Sequence, residues 1–237
     1  MPERSPAMQG ELWVAEPTRP RLEFSLGEAL DDGLRAMRRS GVVLSVAQLV
    51  AALPGAGVAL AFRAARGQPH FASRAYWEQT ILVTACGTVL GAFFRGGLAR
   101  MSLDACRGAP VRLGDLARGM RFFPAMLVLE VVHLVVLALS VPLLAVPYVL
   151  VWAPLALAPF ALVDRDDGLV DAVRFAWASA RGERLHLFGF LLATAIVSYL
   201  GLVACCVGEL PAAALVGVAT AHVYARFNGE ARRGDDQ

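Results

Sequence analysis

The chain contains no lysine; all 22 of its basic residues are arginine. Charged residues make up only 18% of it and the net charge is +2. So small an excess excludes a nucleic-acid partner, whose binding rests on neutralising several phosphates. The missing lysine reads as the codon usage of a GC-rich bacterial genome, with phosphate recognition by the guanidinium fork as the alternative. Cysteine is scarce too. Cys86, Cys106, Cys205 and Cys206 form no C-x-x-C and no zinc spacing. Adjacent cysteines in a helix are badly placed to bridge each other, so no disulfide framework is expected and the cysteines of the spans read as small apolar residues. No G-x-S-x-G, H-E-x-x-H, P-loop or dinucleotide fingerprint stands where its mechanism needs it. The expectation is a non-enzyme with no catalytic residue, no metal and no cofactor.

What the chain has in quantity is apolar residues: 57% of the total, with a mean hydropathy of +0.56. A soluble domain with that balance would expose more apolar surface than water tolerates. The charges are also segregated. None falls in 40–62 or in 185–208, and Glu130 is the only Asp, Glu or Arg between Arg121 and Asp164. A hydrocarbon core about 30 Å thick takes roughly 20 apolar residues per helix. The expected fold is therefore all-α: a polytopic transmembrane helix bundle of six spans arranged as three hairpins. The spans are placed at about 41–62, 79–98, 122–140, 146–163, 186–207 and 210–226, inside one membrane domain over 21–227. Prolines in SVPLLAVP and GELP mark tight turns between spans three and four and between five and six. Residues 1–20 and 228–237 read as mobile cytoplasmic tails. The first 40 residues lack the apolar core of a secretory signal, so the first span is expected to act as an uncleaved insertion signal.

Arginine sets the orientation. With the N-terminus inside, the inner segments carry 19 arginines and the outer ones 3, namely Arg63, Arg66 and Arg74. That asymmetry places both termini in the cytoplasm of a bacterial inner membrane. The inner segments resemble one another: SLGEALDDGLRAMRRSG, RLGDLARGMRFFP and GLVDAVRFAWASARG each bring an early acidic residue (Glu28, Asp115, Asp171) and then apolar positions at helical spacing. Leu26, Leu30, Leu34 and Met37 share one face, as do Leu169, Val173 and Trp177. Ser25 and Glu28 form an S-x-x-E capping box. Each span pair is thus expected to follow a cytoplasmic amphipathic helix lying in the headgroup layer. The candidate headgroup contacts are Arg35, Arg38, Arg39, Arg118, Arg121, Arg174, Arg181 and Arg184, and the expected partners are membrane lipids, with a protein partner or a second copy of the chain left open.

The F-S-L-G-E-A-L-x-x-G-L-R helix, the GAFFRGG that closes span two and the PLALAPFALVDRDDGLVDAVRFAWASARG before the last hairpin carry a resemblance. Over about 21–227 the chain resembles the six-span membrane region attached to some bacterial glycerophosphodiester phosphodiesterases, and its stand-alone relatives of unknown function. The resemblance implies a six-helix bundle with amphipathic elbows. It implies no phosphodiesterase activity, since that chemistry belongs to a separate soluble barrel, and it carries over no catalytic residue.

The polar residues inside the spans remain. Counted from Phe122 at about 1.5 Å per residue, Glu130 lies roughly 12 Å and His133 roughly 16 Å deep. Glu-x-x-His puts both on one helix face and is the spacing of di-iron bundles, but a di-iron site needs a second such motif and further carboxylates, which are absent. Intramembrane ionisable groups normally face a bundle interior or a path. Two readings stay open. Glu130, neutralised by protonation, joins Gln48, Thr88 and Thr194 in a polar layer that holds helices together; alternatively, Glu130 and His133 line the path of a small transporter or channel. The functional expectation is a membrane scaffold or accessory protein acting through lipid and protein contacts, with the transporter as its alternative. Gly87, Gly91, Gly96 and Gly97 mark a close helix approach on span two, Pro147, Pro154 and Pro159 a kinked fourth span, and Asp167 or a neighbour a helix cap.

Overall fold

The computed structural model describes residues 26–67, 73–140, 151–166, 168–181, 183–203 and 208–229. The expected tail over 1–20, residues 230–237 of the expected tail 228–237, the cap at Ser25, Pro147, Asp167 and the pair Cys205 and Cys206 lie outside them. Among the described residues the structure is helical and has no strand. Its elements are α1 (Leu26–Arg66), α2 (Arg74–Cys106), α3 (Gly114–Arg118), a 3-10 turn (Gly119–Phe122), α4 (Phe123–Ser140), α5 (Ala153–Leu155), α6 (Ala158–Arg165), α7 (Leu169–Ser179), α8 (Arg184–Val203) and α9 (Glu209–Phe227). Five helical stretches are long and apolar enough to cross a membrane: Gly27–Arg66, Arg74–Cys106, Gly114–Ser140, Arg184–Val203 and Glu209–Phe227. Their outward faces carry Val42, Leu60, Ile81, Val135, Leu185 and Leu200, all exposed. In water such a belt would be a liability; against lipid it is an ordinary surface.

Two sequence expectations meet a different local structure. The segment Leu26–Arg39, expected as a separate in-plane helix, is continuous with the first span in one helix of 41 residues. Ser40 and Gly41 do not interrupt it, because one glycine costs a helix only about 1 kcal/mol. The region 151–165, expected within a single kinked span, is broken into α5 and α6, each with a proline in its first turn (Pro154 and Pro159). A proline lacks the N–H its own turn needs and clashes with the carbonyl four residues back, whereas the first turn of a new helix accepts it. Residues 141–150 lie outside the description. α6 stops at Asp166, whose φ of 54° is the left-handed conformation that aspartate tolerates better than most residues.

α9 is the most deeply embedded span, packed against α1, α2 and α8. Its inner positions are small (Ala212, Ala214, Ala219, Ala221, Ala225), so neighbouring backbones approach closely. A Cβ on Gly33 of α1 would stand 3.1 Å from Leu215 and 3.5 Å from the Ala219 methyl. Ala29 and Gly33 therefore form the buried edge of α1, and Leu34, counted on the apolar face, is half exposed. The tightest crossing lies between α2 and the α3–3-10 segment. A Cβ on Gly96 would lie 2.5 Å from the Gly119 carbonyl oxygen, and one on Gly97 2.6 Å from the Leu116 Cα. No such contact exists at Gly91, and the space beside Gly87 is open. The expected glycine approach on span two is thus tightest at Gly96 and Gly97, and Gly87 is approached only loosely, by Gly55 of α1, whose added Cβ would stand 3.9 Å from the Gly87 Cα.

Candidate functional site

α4 places Glu130 and His133 one turn apart on the same face, with Met126 and Leu129 buried beside Glu130. α2 crosses α4 near the pinch at Gly96, where the rings of Phe93 and Phe123 meet edge to face at 5.6 Å. Arg95 is the residue before that glycine. A helical side chain leans toward the N-terminus of its own helix, and Arg95 reaches Glu130, with Nη1 forming an ion pair to Oε1. His133 Nδ1 lies 3.8 Å from the other carboxylate oxygen. The His133 ring is stacked on Trp152 with centroids 3.8 Å apart and planes 11° from parallel. The order Arg95, Glu130, His133, Trp152 therefore runs from α2 through α4 to the residue that precedes α5. Glu130 is buried, whereas 42% of the Arg95 side chain remains accessible.

This alters the expected chemistry of Glu130. A carboxyl neutralised by desolvation is one of the two expected readings; the structure instead sets Arg95 against it, and the contact is an ion pair. Nor does the expected polar layer assemble. The Thr88 hydroxyl donates to the Thr84 carbonyl and the Thr194 hydroxyl to the Leu191 carbonyl, both at 2.9 Å on their own helices. Gln48 is half-buried on α1, and the ion pairs of Glu130 are to Arg95 and His133. Of the five residues, Glu130 and His133 come together and the other three do not.

The eight candidate headgroup arginines divide. Arg35 pairs with Asp31 at 2.6 Å and Asp32 at 3.2 Å, Arg118 with Asp115 at 2.9 Å, Arg121 with Asp166 at 3.1 Å and Arg174 with Asp171 at 3.7 Å. The Arg184 guanidinium lies over the Trp177 ring. Arg38, Arg39 and Arg181 are exposed and make no ion pair among the described residues. Those three keep their charge open to an external anion.

A second polar cluster, with Asp164 and His222 among its members, lies apart from Glu130. At the end of the bundle where α1 begins and α9 finishes, Arg107 pairs with Asp164 at 2.6 Å and the buried Tyr224 hydroxyl donates to the same carboxylate at 3.0 Å. Arg226 pairs with Glu28 at 2.9 Å, and His222 Nε2 lies 2.9 Å from Asp32. These contacts join α1, α2, α6 and α9. The available signal was the acidic residues interspersed among the arginines of one side, but their partners lie 57 to 198 residues apart. Among the described residues no three His, Cys, Asp or Glu side chains are grouped to hold a metal ion. No protein-family model, curated protein or solved structure matches the chain.

Proposed function

We propose that the chain is a membrane protein of scaffold or accessory type, acting without catalytic turnover through lipids and through a protein partner or a second copy of itself. The observation that carries this reading is the Arg95–Glu130–His133 contact. The one acidic group deep in a span is held by side chains of its own bundle, as a helix-to-helix lock requires. The exposed Arg38, Arg39 and Arg181 supply the lipid-facing charge. The same reading includes six spans as three hairpins, with 146–163 as the sixth crossing and Leu26–Arg39, Gly114–Phe122 and α7 as cytoplasmic amphipathic segments. Support for that crossing is the burial of 152–155 and 157–163 against the apolar core. The 19-to-3 arginine asymmetry supports a bacterial inner membrane with both termini cytoplasmic, and the likeness to the phosphodiesterase-associated membrane region belongs to the same proposal.

A transporter is the second reading, favoured by one feature: the proline-broken α5–α6 segment touches the lock through Trp152 and His133. Native mass spectrometry and proteoliposome flux on wild type and Glu130→Gln separate the two. The scaffold reading predicts the same bound lipids in both proteins, lower thermal stability in the variant and flux no higher than in empty vesicles. A lipid or solute lost only from Glu130→Gln, or pH-dependent flux that the variant abolishes with its fold intact, would transfer the conclusion to transport.

A further inference from the structure

Three helices that are remote in sequence bring a thiol, an imidazole and a carboxylate into line. Cys106 is the last residue of α2, His222 stands one turn before the end of α9, and Asp32 is in the second turn of α1. Cys106 Sγ lies 3.5 Å from His222 Nδ1, and His222 Nε2 lies 2.9 Å from Asp32 Oδ2. Each ring nitrogen thus faces a different partner. Asp32 stands at ion-pair distance from Nε2, and in the tautomer protonated at Nε2 the neutral ring presents its Nδ1 lone pair to the thiol, as a base needs. Nucleophile, base and orienting carboxylate in series are the elements of an activated nucleophile, recognised by geometry and roles.

The surroundings narrow the chemistry. Asp32 of α1 and Cys106 of α2 face His222, Arg226 on the same helix as His222 pairs with Glu28 and lies 3.8 Å from Asp32, and Asp164 of α6 is engaged by Arg107 and Tyr224. Cys86 lies 20 residues earlier on the same helix, about 30 Å away at 1.5 Å per residue, so it cannot form a disulfide with Cys106. The thiol is half-buried beside the apolar core, next to the exposed turn Arg107–Gly108. A thiol at the polar end of an apolar span suits a substrate with a reactive polar head and an apolar tail.

We propose that Cys106 is a self-acylation site, activated by His222 and Asp32, that takes a long-chain acyl group from an activated acyl thioester. His222 Nδ1 accepts the proton of the Cys106 thiol, and the sulfur attacks the acyl carbonyl. The new carbon–sulfur bond forms as the bond to the departing thiol breaks, and His222 returns the proton to that thiolate. One thioester replaces another, so no oxidant or reductant is needed. The product is a chain carrying one acyl group, a modification that leaves the proposed scaffold role intact and does not depend on the Arg95–Glu130 lock.

The test is intact and peptide-level mass spectrometry of the full-length protein in mild detergent, with palmitoyl-coenzyme A in one arm and phosphatidylglycerol vesicles in the other. The expected result is one acyl group on Cys106 in the first arm only, removed by neutral hydroxylamine, since making a thioester from an oxygen ester runs uphill. Cys106→Ser takes up none. His222→Gln slows acylation about 100-fold, the lower end of what a positioned base contributes, and Asp32→Asn slows it less, each in protein that still unfolds cooperatively. Imidazole added to His222→Gln restores part of the rate. If His222→Gln does not fold, the wild-type rates of alkylation by iodoacetamide near neutral pH decide instead, with Cys106 expected at least about tenfold faster than Cys86. Absence of acylation, acylation from the vesicles, equal rates in folded His222→Gln, or equal alkylation of Cys106 and Cys86 would each overturn the proposal.

Discussion

Gly96→Ala should loosen the bundle at its narrowest point. The added methyl would lie 2.5 Å from the Gly119 carbonyl oxygen, where ordinary contact begins at 3.4 Å, so the two backbones must part by about 0.9 Å. The obstacle is main chain in a 3-10 turn and cannot rotate away as a side chain would. Overpacking costs roughly 1–3 kcal/mol, and this site belongs at the upper end. Alanine in place of glycine in a helix returns about 0.5–1 kcal/mol, which leaves a net loss of about 2 kcal/mol. At about 2–4 °C per kcal/mol for chains of this size, the melting temperature falls by about 4–8 °C. Arg95 is the neighbouring residue, so the same separation pulls its guanidinium away from Glu130. Thermal unfolding in one detergent, followed by tryptophan fluorescence, reads the effect. Gly189→Ala on α8 is the matched control, since its Cβ would meet nothing within 4 Å, and it should melt at or above wild type. If Gly96→Ala melts with or above Gly189→Ala, the close approach of α2 to Gly119 is wrong.

Three further outcomes can be read in the same assay. Asp164→Asn removes the charge that Arg107 and Tyr224 share, and should cost about 1.5–3 kcal/mol, more than Tyr224→Phe, which deletes only the hydroxyl donor. Gly201→Ala sets a methyl 2.6 Å from the Ala212 Cβ and 2.8 Å from the Gly208 carbonyl oxygen. It should part α8 from α9 at a cost of about 1–3 kcal/mol. Trp152→Ala empties the space beside His133 and should cost about 3–5 kcal/mol, whereas Trp152→Phe, which keeps a ring for the stack, should cost much less.

Apolar run length carried most of the architecture. Five of the expected spans coincide with helices that are long and apolar enough to cross a membrane, because a charge-free stretch of some 20 residues has few other uses. Hydrophobicity weights large side chains, however, and the contacts that matter here are made by small ones. Leu34 marks the apolar face of its helix in the sequence, yet it is the small Ala29 and Gly33 that are buried, with Gly33 set against α9. Glu130 and His133 were legible as a pair because a spacing of three is local to one helix. Arg95 was not, since near the end of its span it counts only as one of the inner-segment arginines, while its long side chain reaches Glu130 on α4. No local spacing links Asp164 to Arg107, or Cys106 to His222 and Asp32. Their partners are 57 to 190 residues away, and only tertiary packing assigns them.

The central claim is that Glu130 holds α4 to α2 through Arg95. A double-mutant cycle with Arg95→Ala, Glu130→Ala and the pair, measured by unfolding in one micelle, tests it most directly. Since Arg95 is partly exposed, the coupling should fall at about 1–2 kcal/mol in favour of the pair, inside the range for residues in direct contact. It should be accompanied by a larger loss from Arg95→Ala, which strands a buried carboxylate, than from the double variant. A coupling within about 0.3 kcal/mol of zero, with the two single losses simply adding, would contradict the lock.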